Sequence, residues 1–288
     1  MKKTNDIKLK KLLKNKVVLI TGGAGSIGSS LTKTLLNYSV KSIRVFDNNE
    51  HALFKLSHSL NDSRVEPLLG DILNKDRIEL AVLGSDIIIH TAALKNIEIT
   101  EYNPIEAIDV NVNGTINLLK SIIRNKSQIF INISTDKVAE SSTLYGTTKQ
   151  LGERLTNWAG PHIDTTKFAT VRLGNIIETR GNVFEVWNEQ LKNNLPLSIT
   201  DPKMKRYFFH MNEAVDFILQ CMLRVNKGEI FVPKMKLCTI TDLASKLSKN
   251  QKIIGARQGE KLQEILITEE EKKISEEKEN MWIIQNYS

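Results

Sequence analysis

Two side chains in the middle of the chain have the types and the spacing of an oxidising pair. Tyr145 and Lys149 stand one helical turn apart, so their side chains face the same way. A tyrosine has an ordinary pKa near ~10, and a neighbouring ammonium stabilises its phenolate. The phenolate can take a proton from a hydroxyl while hydride leaves the same carbon. The alternative interpretation is a surface pair on a helix.

A second acid/base pair precedes this tyrosine. The segment Ser134-Thr135-Asp136-Lys137 ends eight residues before Tyr145. A simple oxidation needs only the tyrosine and its lysine, whereas a reaction that removes hydride, eliminates water and returns the hydride to another carbon needs both pairs. An exposed turn at the end of a strand is the alternative for Asp136-Lys137. The candidate catalytic residues are Thr135, Asp136, Lys137, Tyr145 and Lys149.

A glycine-rich turn near the start of the chain predicts a dinucleotide site. The apolar run 17–20 leads into Gly22, Gly25 and Gly28, and leucines at helical spacing follow. The first glycine permits a tight turn, the second lets the backbone approach a pyrophosphate, and the third lets helix and strand pack closely. The pyrophosphate would lie at the positive end of the helix, beside Ser26 and Ile27.

The ends of the next strands supply the remaining cofactor contacts. Asp47, followed by Asn48, lies about twenty residues past the glycines, where a carboxylate binds ribose hydroxyls and repels a 2′-phosphate. This favours NAD over NADP. Asp71 and Ile72 follow the third strand and would meet the adenine edge, with a helix N-cap as the alternative for Asp71. Two small residues after the fourth strand allow close approach of the cofactor. They are Ala92 and Ala93.

Strands and helices alternate through the first part of the chain. A helical pattern runs from 105 to 123. The alternation predicts an α/β fold, a Rossmann-type doubly wound parallel sheet with helices on both faces. The predicted strands are 17–20, 42–46, 65–69, 86–90, 128–133 and 170–173.

After residue 174 the regular alternation of strand and helix patterns ends, which predicts a smaller lobe. We expect a basic extension at 1–16 and an NAD-binding domain at 17–174, to which 207–233 returns. A substrate-binding lobe would comprise 175–206 and 234–288. Across the lobe and the returning segment, the pattern predicts helices at 183–191, 212–225 and 241–247 and strands at 228–233 and 253–254. A solvated helix or loop is expected at 268–279, followed by an apolar stretch at 281–284.

The composition is that of a soluble globular protein. Of the 288 residues, 41% are hydrophobic and 25% are charged, which excludes a disordered chain. The net charge of +7 does not indicate nucleic acid, because much of it lies in the first sixteen residues. That lysine-rich segment could form an amphipathic helix at a membrane surface. We favour a solvated, loosely tied extension.

Several features predict a cytoplasmic protein without a metal. No run approaches the ~20 apolar residues of a membrane span. The lysine-rich start does not resemble a secretory signal. Cys221 and Cys238 are too few for a disulfide framework and lack metal-ligand spacing.

In combination, the motifs resemble those of the extended short-chain dehydrogenase/reductase superfamily. The resemblance narrows to its capsular-polysaccharide-biosynthesis branch, whose members look like UDP-N-acetylglucosamine 4,6-dehydratases, including the C5-inverting type. It covers nearly the whole chain. The matching segments are 90–95 (HTAALK), 111–115 (NVNGT), 131–137 (INISTDK), 144–149 (LYGTTK), 172–175 (RLGN), 179–183 (TRGNV), 199–201 (ITD), 228–234 (GEIFVPK) and 259–261 (GEK).

The resemblance implies NAD as cofactor and a reaction in three steps. Tyr145 oxidises C4 of the sugar, an acid/base pair removes the C5 proton while the C6 hydroxyl departs as water, and hydride returns to C6. Relatives that retain the C5 configuration carry Asp-Glu where this chain has Asp136-Lys137. Because desolvation lowers the pKa of a lysine, we expect Lys137 to be the C5 base and Asp136 the proton donor or relay. The two groups titrate as a pair.

Six residues are candidates for binding the nucleotide sugar. Arginine suits a diphosphate because its planar fork gives bidentate contacts, although a surface salt bridge is the alternative for any single arginine. Lys95 and Glu260 lie in family motifs and could instead form a contact between subunits of the expected homo-oligomer. The candidates are Lys95, Asn175, Arg180, Arg206, Arg257 and Glu260.

Two other functions fit parts of the pattern. A nucleotide-sugar C4-epimerase uses the same oxidation but returns hydride to the opposite face of C4, which leaves Asp136-Lys137 without a role. A non-catalytic NAD-binding sensor would need neither Tyr145 nor the two lysines. The sequence therefore favours an NAD(P)-dependent nucleotide-sugar 4,6-dehydratase.

Overall fold

The computed structural model describes residues 3–179, 181–255 and 260–285. A π-helical turn spans Asp109–Asn113 and a 3-10 turn spans Asp136–Val138. The strands are β1 Val17–Thr21, β2 Ser42–Asp47, β3 Val65–Leu69, β4 Ile87–His90, β5 Ile129–Thr135, β6 Lys167–Leu173, β7 Asn175–Ile176, β8 Leu197–Ile199, β9 Lys205–Phe209, β10 Lys227–Pro233, β11 Leu237–Thr239, β12 Gln251–Ile253, β13 Ser275–Glu277 and β14 Met281–Ile284. The α-helices are α1 Lys3–Leu13, α2 Ser26–Leu35, α3 Glu50–Leu60, α4 Lys75–Val82, α5 Ile97–Tyr102, α6 Pro104–Ile108, α7 Gly114–Asn125, α8 Leu144–His162, α9 Val183–Lys192, α10 Met211–Met222, α11 Ile240–Ser245 and α12 Glu269–Lys273.

A large sheet with the strand order β13-β14-β10-β6-β5-β4-β1-β2-β3 forms the centre of the protein. In this order, every neighbouring pair from β10 to β3 is parallel. The predicted α/β fold of the Rossmann type is therefore confirmed. In such a sheet, ligands bind beyond the carboxyl ends of the strands, where the strand order reverses.

The central strands are apolar on both faces because helices cover both faces of the sheet. Every residue of β1 and of β5 is buried. Leu19 of β1 belongs to one core cluster, whereas Val18 and Ile20 belong to the other. The alternation follows from the two-residue period of a strand, and it places one core on each side of the sheet.

The basic segment at the start of the chain is tied to the core. Leu9 and Leu13, one turn apart on α1, are fully buried in the main core cluster. Asp6 forms a hydrogen bond with Tyr38. The expected loosely tied extension was wrong, because burying each leucine contributes roughly 1.5–3 kcal/mol towards ordering the helix. Among the described helices, none combines the length and the apolar character that crossing a membrane requires.

The helix predicted at 105–123 is divided into three parts. Helix α6 ends at Ile108, a π-helical turn follows, and α7 begins at Gly114. The extra residue of a π turn changes the direction in which side chains point, and such turns are frequent at functional sites. Here the turn directs Asn111 inward, where its side chain is 2% exposed. Apolar spacing alone does not reveal this interruption.

Two small sheets and helix α9 form the smaller lobe. One sheet has the order β11-β9-β7 and the other pairs β12 with β8. Trp187 of α9 is fully buried at the centre of this lobe, in a cluster with Leu197 and Ile240. Its indole N–H donates to the carbonyl of Ser198 at 2.9 Å, which joins α9 to β8.

Two segments lie in a different part of the fold from the one predicted. Strand β9, at the start of the segment expected to return to the NAD-binding domain, pairs with β7 and β11 of the smaller lobe. Strands β13 and β14, expected in the smaller lobe, extend the large sheet beyond β10 in antiparallel pairing. This pairing covers the edge of β10, which would otherwise present unpaired backbone groups.

Candidate active site

A cavity of about 990 Å³ lies beyond the carboxyl ends of the central strands and reaches into the smaller lobe. Its walls include Thr91 after β4, Thr135 at the end of β5 and Gly174 after β6. The smaller lobe contributes residues of α9, β8 and β9. The predicted residues that line the cavity are Ile27, Ala93, Lys95, Thr135, Lys137, Tyr145, Lys149, Asn175, Arg206 and Glu260.

The glycine turn fits the pyrophosphate of a dinucleotide. Gly22 has a φ of +65°, and a Cβ at this position would lie 2.6 Å from the backbone nitrogen of Ala92. A Cβ on Gly28 would lie 2.6 Å from the carbonyl oxygen of Gly22, so α2 packs directly against the turn. Gly25 caps α2 without a side-chain acceptor. The amino end of the helix is therefore suited to an anion.

Asp47 lies where a ribose contact was predicted. Its two carboxylate oxygens accept hydrogen bonds from the backbone amides of Ala24 and Asn49, both at 3.0 Å. The first of these bonds fixes the carboxylate beside the glycine turn. Asn48 follows directly and precedes α3. The ribose contacts of Asp47 and Asn48 remain predictions.

Asp71 and Ile72 follow β3 as expected. One oxygen of Asp71 accepts from the amide of Leu73 at 2.8 Å, which makes a tight turn. The N-cap of α4 is Asn74, so the alternative of Asp71 as a helix cap was wrong. Ile72 is buried, and its side chain packs against Gly114 of α7. The adenine contacts of Asp71 and Ile72 remain predictions.

Helix α8 presents Tyr145 and Lys149 to the cavity. Thr143 caps the helix by accepting from the amide of Gly146 at 3.1 Å. Glu101 accepts from the amide of Leu144 at 2.6 Å. Tyr145 therefore lies in the first turn of a capped helix. Because Lys149 is only 4% exposed, the alternative of a surface pair was wrong.

The 3-10 turn after β5 brings Lys137 to the same cavity, with the buried Asp136 paired to it. The Nζ of Lys137 donates to Oδ1 of Asp136 at 2.9 Å and lies 3.7 Å from Oε1 of Glu264. The Oγ1 of Thr135 donates to the same aspartate oxygen at 3.0 Å. Asp136 is fully buried, so the alternative of an exposed turn was wrong.

The charge state of Lys137 differs from the one expected. Burial lowers the pKa of its ammonium, but the carboxylates of Asp136 and Glu264 outweigh burial, and the pKa is raised. The expected lowering was wrong because the negative charges of Asp136 and of Glu264, from the carboxyl-terminal part of the chain, together raise the pKa of Lys137 more than burial lowers it. Sequence reasoning missed Glu264, and no local spacing links it to Lys137.

Tyr145 is influenced more by Lys137 than the sequence indicated. Burial raises the pKa of its phenol, whereas the charge of Lys137 and a hydrogen bond with Thr135 lower it. The net effect raises the pKa. A phenolate in this cavity therefore requires further positive charge, which the nicotinamide ring of an oxidised cofactor would supply.

A buried network of ion pairs begins one helical turn beyond Lys149. Burial lowers the pKa of Lys149 to about 8, against the charge of Glu153 one turn further along α8. Glu153 accepts from Arg172 of β6 at 2.8 and 3.2 Å. Arg172 also donates to both carboxylate oxygens of Glu271, at 2.8 and 2.9 Å. Helical spacing could have revealed Glu153, but not Glu271.

Asn111 in the π turn joins three parts of the site. Its Oδ1 accepts from the amide of Leu94 at 2.8 Å, and its Nδ2 donates to the carbonyl of Leu94 at 2.9 Å. The Nδ2 also donates to Oγ1 of Thr148 at 3.0 Å. Asn111 therefore holds the segment after β4, which carries Lys95, against α8, the helix of Tyr145. Its motif was recognised in the sequence, but this role was not.

The predicted substrate residues lie in the part of the cavity that faces the smaller lobe. Asn175 donates through Nδ2 to the carbonyl of Tyr207 at 3.1 Å, which orients its side-chain oxygen. Arg206 is largely buried, with Nε 3.8 Å from Oε1 of Glu264. Lys95 and Glu260 also line the cavity. The predictions for Arg180 and Arg257 lie outside the described residues.

With this geometry established, the chain can be compared with known proteins. Residues 18–286 match the model of a family described as polysaccharide biosynthesis protein. The chain belongs to this family. The predicted resemblance to the polysaccharide-biosynthesis branch of the extended short-chain dehydrogenase/reductases is thereby confirmed.

Curated relatives in this family carry different names. An uncharacterized membrane protein of Methanocaldococcus jannaschii is 41% identical, over 95% of this chain and 87% of that protein. A UDP-N-acetylglucosamine 4,6-dehydratase (inverting) of Campylobacter jejuni is 36% identical, over 95% of this chain and 84% of its own length. A UDP-glucose 4-epimerase of Rickettsia bellii is 35% identical, over 94% of this chain and 83% of the relative. The family thus includes both a named dehydratase and a named epimerase.

Solved structures match the fold over most of its length. Pen from Bacillus thuringiensis superimposes with a TM-score of 0.91 at 33% identity, covering 96% of this chain and 89% of Pen. DesIV, a dTDP-glucose 4,6-dehydratase from Streptomyces venezuelae with NAD bound, gives a TM-score of 0.78 at 20% identity, covering 89% of this chain and 90% of DesIV. The second match is evidence of the fold alone.

Proposed function

We propose that the protein is an NAD-dependent nucleotide-sugar 4,6-dehydratase that acts on UDP-N-acetylglucosamine. The observation that carries the proposal is the meeting of two acid/base pairs at one cavity: Lys137, Tyr145 and Lys149 line it, and the buried Asp136 pairs with Lys137 in the turn after β5. The cavity of about 990 Å³ is large enough for a drug-sized ligand or larger. The product would be a 4-keto-6-deoxy sugar nucleotide for the synthesis of surface polysaccharide.

The glycine turn, Asp47 and Lys149 would hold the cofactor. When bound, NAD would supply the acceptor for the hydride from C4 of the sugar and the donor that returns it to C6. The uncapped amino end of α2 would meet the pyrophosphate, and the carboxylate of Asp47 the adenosine ribose. The carboxylate favours NAD because it would repel the phosphate of NADP.

Tyr145 removes the proton of the C4 hydroxyl. The phenolate needs positive charge nearby, and Lys137 lowers its pKa from within the cavity. Lys149 lies one turn along the same helix and would help to hold the cofactor. The ketone formed at C4 then makes the C5 proton acidic.

Asp136 and Lys137 perform the elimination. Lys137 first gives an ammonium proton to Asp136 across the 2.9 Å contact, which creates an amine and a carboxylic acid. The amine takes the C5 proton and the C6–O bond breaks. Because Thr135 lines the cavity, its hydroxyl passes a proton to the departing oxygen and recovers one from Asp136. Water leaves, and the ammonium-carboxylate pair is restored.

The nature of the base supports inversion at C5. A lysine stands where relatives that retain the configuration carry glutamate, and the Campylobacter jejuni relative is named inverting. C5 would regain a solvent-derived proton from the opposite face, which balances the proton taken by Tyr145. The smaller lobe would bind the nucleotide diphosphate through Asn175 and Arg206.

A C4-epimerase is the second candidate, because the Rickettsia bellii relative carries that name. An epimerase needs the Tyr145-Lys149 pair but has no elimination for Asp136-Lys137 to catalyse. The buried pairing of Lys137 with Asp136 favours the dehydratase, since burying charged groups without a use costs free energy.

Incubation with UDP-N-acetylglucosamine in deuterated water decides between the two. We expect a product that has lost one water and carries deuterium at C5, detected by mass spectrometry and located by NMR. The proton couplings at C5 give its configuration. A Tyr145→Phe variant is the control and should give no product. A C4 epimer of unchanged mass would instead establish the epimerase.

A further inference from the structure

Glu264 is a buried carboxylate between two cations of the cavity. Its Oε1 lies 3.7 Å from Nζ of Lys137 and 3.8 Å from Nε of Arg206. The side chain of Glu264 is 8% exposed and forms part of the cavity wall. Removing a carboxylate from water costs free energy. A buried carboxylate therefore needs charged partners to offset this cost.

The chain fixes Glu264 in this position from both sides. The amide of Lys205 donates to the carbonyl of Leu262 at 2.8 Å, which attaches the segment before Glu264 to β9. Arg172 donates to the carbonyl of Leu266 at 2.8 Å, which attaches the segment after it to β6. The distance between Glu264 and Lys137 is therefore set by two separate anchors in the fold.

Lys137 faces four charged or titratable groups. Asp136 and Glu264 supply negative charge, while Tyr145 and Lys95 lie within electrostatic range. Asp136 shares one oxygen between Lys137 and Thr135, whereas its other oxygen has no partner among the described residues. Without Glu264, Lys137 would keep only the carboxylate of Asp136, and Arg206 would lose the carboxylate that it faces.

We propose that Glu264 is a positioning residue for the elimination: its carboxylate holds the Lys137 amine at the cavity wall and stabilises the ammonium that forms when Lys137 takes the C5 proton. The role rests on the proposed dehydration. Glu264 touches neither the sugar nor the cofactor in this role, and it acts only through Lys137.

Competitive acetylation of the free protein tests the charge on Lys137 directly. Only the neutral amine reacts with acetic anhydride, so the extent of labelling against pH, measured on the Lys137 peptide by mass spectrometry, follows its deprotonation. Removal of a negative charge destabilises the ammonium, and the labelling midpoint of Glu264→Gln should shift to lower pH by roughly one unit. The shorter carboxylate of Glu264→Asp should give an intermediate midpoint.

Glu269→Gln is the matched control. Glu269 lies on α12, pairs with Lys272 and is 79% exposed, so its removal should leave the Lys137 curve unchanged. Circular dichroism and the melting temperature report whether each variant folds. If Glu264→Gln does not fold, Glu264→Asp still gives the shift. A labelling midpoint equal to that of the wild type in a folded Glu264 variant overturns the proposal.

The reaction supplies a second measurement. In Glu264→Gln, kcat for water loss should fall roughly tenfold. KM for UDP-N-acetylglucosamine and the reduction of bound NAD, followed by absorbance, should change little. The acid limb of the pH profile should move to lower pH with the labelling midpoint. The two failures are distinct: a wild type that releases no water contradicts the proposed function, whereas an unshifted labelling curve contradicts the role of Glu264.

Discussion

At the scale of single residues, the chemistry depends on the surroundings of Lys137. An amine that is to act as a base must first lose a proton, yet the carboxylates of Asp136 and Glu264 raise the pKa of Lys137. The 2.9 Å contact with Asp136 resolves this conflict, because the proton can pass within the pair. In the proposed elimination, the same transfer would give the acid that the leaving hydroxyl needs, so one proton movement would prepare both groups.

Replacement of Lys137 should separate oxidation from elimination. We expect Lys137→Ala to lose water formation by a factor of about 10²–10⁴, since it removes a general base, while reduction of bound NAD by the nucleotide sugar is retained in part. Absorbance of the reduced cofactor and mass spectrometry of the product measure the two steps.

Lys234→Ala is the matched control for this variant. Lys234 pairs with Glu277 in the large sheet's antiparallel extension and does not line the cavity, so the variant should dehydrate normally. Unchanged dehydration in Lys137→Ala itself would remove Lys137 from the mechanism.

At the scale of elements, helices carry the site because tertiary contacts fix their ends and faces. Helix α8 is capped by Thr143 and held by the network of Glu153 and Arg172. Helix α1 shows the same rule far from the cavity, since its two buried leucines attach a lysine-rich helix to the core. In both helices, packing rather than helix propensity sets the position.

Core substitutions in α1 test whether this helix belongs to the folding unit. Leu9→Ala removes a fully buried side chain and should lower the free energy of unfolding by about 2–5 kcal/mol, measured by urea denaturation. Ile7→Ala is the matched control, because Ile7 is 63% exposed on the same helix, and should change stability by less than about 0.5 kcal/mol. Equal and small effects of the two would mean that α1 does not contribute to stability.

At the scale of the whole molecule, three neighbouring helices carry exposed apolar side chains. Leu151 and Trp158 are about half exposed and lie two turns apart on α8. Helices α5 and α6 pack against α8 and expose Tyr102 and Ile105 even more. Large exposed apolar patches are typical of surfaces that associate with another protein. This surface is consistent with the predicted homo-oligomer.

Light scattering of the purified protein tests this association. We expect a mass that is a multiple of the 32.6 kDa chain, and Leu151→Glu should reduce it because a charge in an apolar interface is costly. Leu80→Glu, at a more exposed apolar position on α4, is the control and should leave the mass unchanged. A wild-type mass of one chain would refute the oligomer.

Local patterns were enough to predict much of the fold and of the site. The glycine turn, the strand runs and the spacing of Tyr145 and Lys149 depend on residues close together in the chain, and each lies where it was expected. The interruption at Asn111 was not predictable, because π and α turns share the same apolar spacing. The placement of β9 and β14 depends on backbone pairing between distant segments, which local hydrophobicity does not encode.

The sequence by itself determined that Asp136, Lys137 and Tyr145 come together, since they lie close to one another in the chain. Only the tertiary structure decided how those groups are charged. Glu264 and Glu271 come from the carboxyl-terminal part of the chain, and they act on Lys137 and Arg172 because folding brings them within hydrogen-bond or ion-pair distance. Electrostatic energy depends on separation and burial, and both are properties of the folded chain.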